Sequence, residues 1–188
     1  MNLHKASGSL RRLAFQFFRS AAAFVPGGRI EAFGTGKDKI GSILVINLDR
    51  QPRRWRRVLN ELGRYRTSDG VALRSIVQRF AAIDARDGRA VAATADVDPA
   101  YRLGNQLYVQ PDARLERCFG LDEPIRMTRQ EVAVARSHVE IWKAVATGSD
   151  DFVLVLEDDV WFKAGAATAI DNGWRAALER CRSDDITA

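Results

Sequence analysis

The amino-acid sequence predicts an α/β fold with a mainly parallel sheet flanked by helices. Two short runs, residues 43–48 (ILVINL) and 152–156 (FVLVL), have the mainly apolar, β-branched character of strands covered on both faces. Segments of helical periodicity follow or precede them, so the order is strand, helix, strand, then helix, strand, helix.

The first forty residues differ from the rest and are taken as a basic amphipathic segment with a linker. Leu10, Leu13, Ala14, Phe17, Phe18, Ala21 and Phe24 share one helical face, with Lys5, Arg11, Arg12 and Arg19 around the other side. Such a helix can lie in an anionic membrane interface or pack on the protein's own body. Pro26, Gly27, Gly28, Gly34, Gly36 and Gly41 then read as linker punctuation. Residues 41–188 form the expected main domain.

Within it, residues 43–48 are the first strand. Pro52 opens a helix whose apolar face carries Trp55, Val58, Leu59 and Leu62. Residues 75–83 (SIVQRFAAI) read as a second strand. Residues 84–121 are loop-rich, with a short helix at 90–95. A longer helix is predicted over 129–146. Thr128 with Glu131 three residues on makes a capping box, and Val132, Ala135, Val139, Trp142 and Val145 make its apolar stripe. The strand at 152–156 follows, and a last helix covers 164–180.

Composition narrows the function. Apolar residues at 46% and charged residues at 28% exclude disorder as the main state. A net charge of +5 favours anionic partners, whether nucleic acid, acidic lipid or phosphorylated small molecules. Two histidines and two cysteines exclude a multi-histidine zinc site and a disulfide framework. No apolar stretch is long enough to span a bilayer.

The most informative feature is Glu157-Asp158-Asp159, directly after the apolar strand. Open α/β sheets bind ligands at the carboxyl ends of parallel strands. Three adjacent carboxylates repel unless a cation intervenes, and Mg²⁺ or Mn²⁺ meets that need while bridging to a diphosphate. A solvated acidic turn is the plain alternative. Asn47, Asp49 and Arg50 end the first strand, expected at the same sheet edge, and Arg53, Arg54, Arg56 and Arg57 follow on the helix. One or two of these guanidiniums suit a diphosphate, and the others suit a solvated face. No recognition motif or stacking platform accompanies them, so nucleic acid is not the expected partner. Ser137 and His138 point about 100° apart on a helix and cannot be a nucleophile and base pair. No G-x-S-x-G elbow occurs.

Three ordered blocks carry a resemblance. They are Val45-Ile46-Asn47-Leu48-Asp49-Arg50 with Arg54 and Trp55; Glu131-Val132-Ala133 with Ser137-His138 and Trp142-Lys143; and Val155-Leu156-Glu157-Asp158-Asp159-Val160. Together they resemble family 25 of the glycosyltransferases, which includes lipopolysaccharide and collagen galactosyltransferases. Gln130, Val134 and Arg136 depart from the family pattern. The resemblance implies a GT-A-like fold, here a partial domain incomplete at its C-terminus, and an inverting transfer. It implies a nucleotide-sugar donor (a UDP-hexose, often UDP-galactose) and a glycan or lipid-linked glycan acceptor. Glu157, Asp158 and Asp159 would take the place of the metal-binding D-x-D element for Mn²⁺ or Mg²⁺. Asn47, Asp49, Arg50, Arg54, Glu131, Ser137 and His138 would line the donor site, with the catalytic base unassigned. Cytoplasmic residence is implied, with peripheral contact of residues 1–28 at the inner membrane face. The alternative is a non-catalytic nucleotide-sugar-binding or membrane-associated remnant of such an enzyme.

Overall fold

The structure, a computed structural model, describes residues 26–86, 96–105 and 118–184. The N-terminal amphipathic segment and the short helix expected at 90–95 lie outside these residues. The chain divides into two compact units, one of residues up to 47, 51–79 and 149–188, the other of 48–50 and 80–148.

The first unit holds the central sheet. Strand β1 (Gly28–Arg29) pairs in parallel with β3 (Tyr65–Arg66). Strands β2 (Ser42–Asn47), β4 (Val77–Ala81) and β7 (Val153–Glu157) form a three-stranded sheet in the order β4-β2-β7. Strands β2 and β7 run parallel, in register from Ser42 opposite Val153 to Ile46 opposite Glu157. The expected α/β class holds, with Ile43 and Val45 of β2 fully buried, whereas the apolar residues of β7 are only partly buried, short of the cover on both faces that their run predicts.

Helix α1 (Pro52–Leu62) starts at its proline and buries Val58 and Leu62, as its periodicity predicts. Helix α3 (Ala166–Asp184) brings Ala167, Ile170 and Trp174 against the same core. Trp174 meets Phe152 edge to face at 4.9 Å, and its indole N–H donates to the Asp38 carbonyl at 2.9 Å. Each Leu or Ile side chain so enclosed stabilises the fold by about 1.5–3 kcal/mol relative to exposure.

Two expectations change here. The glycine-marked segment expected as a linker is packed: Ile30 is fully buried, Phe33 is 1% exposed, and both belong to the core. Gly27 and Gly34 serve close approach. A Cβ on Gly34, which has φ +153, would meet Ser68 Oγ at 2.2 Å, and one on Gly27 would meet the Tyr65 ring at 2.4 Å. The second strand is also shorter than predicted. Ser75 turns its backbone N–H and its hydroxyl onto the Ala72 carbonyl at 2.9 and 2.7 Å, closing a 3₁₀ turn over Leu73–Ile76 before β4 begins.

In the second unit, β5 (Ala100–Tyr101) pairs antiparallel with β6 (Ile125–Arg126). Helix α2 (Arg129–Ala146) keeps its predicted bounds and its capping box. Its buried side differs from the expected stripe. Ala133, Ser137 and Ile141, at i, i+4 and i+8, are buried together with Val132, whereas Trp142 is 60% exposed. No described helix is long and apolar enough to cross a membrane.

Candidate functional site

Parallel pairing of β2 with β7 puts both carboxyl ends on one sheet edge, and the register sets what meets there. One step beyond the Ile46–Glu157 pair, Asn47 stands beside Asp158. Both are polar and buried, at 1% and 7% exposure. Such groups are tolerated only when hydrogen-bonded, and these are. Asn47 Nδ2 donates to Asp158 Oδ2 at 2.6 Å and to the Gln51 carbonyl at 3.2 Å. Arg79, on β4, donates from Nε to Asn47 Oδ1 at 2.8 Å and from Nη2 to the Asn47 carbonyl at 3.2 Å.

Helix α1 holds the acidic turn from the other side. Arg54 Nη1 donates to Asp158 Oδ1 at 3.1 Å, and Arg57 Nη2 donates to the Asp158 carbonyl at 3.2 Å. The Arg57 guanidinium lies 4.6 Å from the Trp161 ring centroid, while its Nε is buried without a hydrogen-bond partner. One turn further on, Glu61 Oε1 accepts from the Phe162 N–H at 3.4 Å and pairs with Arg64 at 2.7 Å. Positions 54, 57 and 61 follow the i, i+3, i+7 spacing of one helical face. That face grips residues 158–162 at three heights.

Asp158 therefore turns inward, committed to Asn47 and Arg54. Glu157 and Asp159, on either side of it, are exposed. Among the described residues no group of three His, Cys, Asp or Glu side chains is placed to hold a metal ion. A set of three converging carboxylates does not fit this geometry. Two outward carboxylates do suit Mg²⁺ or Mn²⁺, which take one or two protein carboxylates and fill their remaining positions with phosphate oxygens and water.

The other expected site residues belong to the second unit. Asp49 is exposed. Arg50 Nε donates to Asp84 Oδ2 at 2.5 Å, and this bond, with the Arg86 backbone N–H, holds the Asp84 carboxyl below its ordinary range. Glu131 closes the capping box, its Oε2 accepting from the Thr128 N–H at 2.6 Å. Ser137 Oγ donates to the Ala133 carbonyl at 2.8 Å and accepts from the Ile83 N–H at 2.9 Å, which ties the chain after β4 to α2. The His138 ring lies 5.9 Å from that of Trp142. Glu131 and Ser137 thus have internal duties that explain them without a ligand.

The structure brings together Asn47, Arg54 and Asp158 from the expected set, turns Arg57 of the four helix arginines onto the same turn, and adds Arg79, Glu61 and Trp161. Glu61 carried a faint signal, a carboxylate between the buried positions Val58 and Leu62. Arg79 carried none, since nothing local marks an arginine in a short strand as a partner of residue 47.

Residues 41–179 match the family model described as Glycosyltransferase family 25 (LPS biosynthesis protein). No curated protein and no solved structure gives a significant match.

Proposed function

The chain belongs to glycosyltransferase family 25, and from that membership we propose that it moves a hexose from a nucleotide-diphosphate donor, a UDP-hexose, to a hydroxyl of a lipopolysaccharide or related glycan. The observation that supports the site most directly is the meeting of Asn47, Arg54 and Asp158 at the carboxyl ends of two adjacent parallel strands. Ligands of open α/β sheets bind at such ends.

In this reading Glu157 and Asp159 hold Mn²⁺ or Mg²⁺. The ion's contribution, when bound, is to offset negative charge on the departing diphosphate. Asp158 keeps Arg54 at the sheet edge. The bond to Asp158 runs through Nη1, and a guanidinium has five N–H donors, so the half-exposed Arg54 retains donors for phosphate oxygens. Asn47 fixes Asp158, and the Arg57–Trp161 and Glu61–Phe162 contacts fix the turn that carries the carboxylates. A basic N-terminal segment, residues 1–28, would place the chain on the cytoplasmic membrane face. Membrane fractionation unchanged by its deletion would remove that part of the proposal.

Incubation of the chain with UDP-galactose or UDP-glucose, Mn²⁺ and truncated lipopolysaccharide tests the activity. Release of UDP that depends on the acceptor supports transfer. Binding of the donor without release supports the second reading, a nucleotide-sugar-binding chain that does not turn over.

A further inference from the structure

We propose that Arg79 is a positioning residue of the donor site, acting through the Asn47 amide on Asp158. The inference rests on the donor reading above. It starts from a choice that a buried amide must make. Asn47 is enclosed, and its side chain has one acceptor end and one donor end. Around it stand one donor, Arg79 Nε at 2.8 Å from Oδ1, and two acceptors, Asp158 Oδ2 and the Gln51 carbonyl, at 2.6 and 3.2 Å from Nδ2.

Turned the other way, the amide would set N–H against N–H at Arg79 and oxygen against carboxylate at Asp158. Leaving such groups unpaired in a buried place costs far more than one bond contributes. The two acceptors call for the N–H end of the amide on their side, Arg79 supplies the donor that the buried Oδ1 end then needs, and its second bond, Nη2 to the Asn47 carbonyl, holds the end of β2 in the same grip. With Nδ2 pinned, Asp158 Oδ2 is fixed and Oδ1 is left to Arg54. The inward commitment of Asp158 leaves Glu157 and Asp159 outward for the ion and the diphosphate. Remove the Arg79 donor, and the buried Oδ1 end is left without the partner that anchors the amide against Asp158.

Arg79 is an exposed residue outside the apolar core, so replacing it leaves that core in place. Arg79→Met and Arg79→Lys in the full chain provide the test, with two readouts. One is solvent exchange of the Asn47 side-chain amide protons, followed by ¹H–¹⁵N NMR. The other is calorimetric titration with UDP and Mn²⁺. In Arg79→Met the amide protons are expected to exchange about tenfold faster or more, and UDP–Mn²⁺ binding to weaken about tenfold, with folding retained on a thermal scan. Arg79→Lys recovers part of both, because one N–H still reaches Oδ1. In an Asp158→Asn background the same Arg79→Met step changes UDP binding by less than about twofold, because the carboxylate being positioned is gone.

Unchanged amide exchange in Arg79→Met overturns the proposal, and so does an equal loss of binding in both backgrounds. A wild-type chain that binds no UDP overturns the donor reading instead, and the amide exchange then decides the Arg79–Asn47–Asp158 linkage by itself.

Discussion

Asp158 shows how one side chain can be read two ways. Beside Glu157 and Asp159 in sequence it looks like a third metal ligand, but in the fold it accepts from Asn47 at 2.6 Å and from Arg54 at 3.1 Å. Asp158→Ala leaves the buried Asn47 amide short of an acceptor. Because Arg54 is half exposed, the expected loss is about 1–3 kcal/mol, measured by urea unfolding. A second residue-scale prediction concerns acid. The Arg50 bond and the Arg86 backbone N–H hold Asp84 below its ordinary value of 3.8. A carboxylate with a depressed folded pKa contributes stability above the unfolded value and loses it as pH falls through the folded one. That contribution is present at neutral pH and fades below about pH 4, where the carboxylate protonates. Arg50→Met is expected to move the Asp84 carboxyl titration, followed by ¹³C NMR, upward toward the ordinary value. An unmoved titration curve would show that Arg50 is not its cause.

At the scale of elements, the parts written in local periodicity were legible and the parts written in tertiary contact were not. The apolar runs of β2 and β7, the proline start of α1 and the capping box of α2 are short-range signals, and each element formed where its signal stands. Thr128→Ala removes the side-chain half of that cap and is expected to cost about 1 kcal/mol, read from chemical denaturation. The buried face of α2 departs from its apolar stripe because Ser137, polar in sequence, is enclosed once its hydroxyl has both an acceptor and a donor. Residues 26–41 looked like a linker because glycine marks both flexibility and close approach. Which one applies depends on Tyr65 and Ser68, distant in sequence. In the site, Asn47, Arg54 and the acidic run were visible as residue types at strand ends. The grip of α1 on residues 158–162 was not, because a run of arginines reads as a solvated face until register shows which ones turn inward. Glu61→Ala tests that grip. It removes the carboxylate that pairs with Arg64 and accepts from the Phe162 N–H, with an expected loss of about 1–3 kcal/mol by urea unfolding.

For the whole molecule, membership of glycosyltransferase family 25 and the polar junction at the ends of β2 and β7 point to one activity, but only ligand binding joins them. A ligand that binds the folded chain raises its stability by mass action, by about 2.7 kcal/mol at one hundred times its dissociation constant. UDP with Mn²⁺ should therefore raise the thermal midpoint, and UDP with chelator should raise it much less. The most direct measurement is calorimetric titration of UDP-galactose, UDP-glucose and UDP into the wild-type chain and Asp159→Ala, with Mn²⁺ and then with chelator. The expected result is binding that needs the ion and is lost in Asp159→Ala, an exposed position outside the core. Binding of equal strength with chelator, or in Asp159→Ala, would contradict the placement of the donor at the acidic turn.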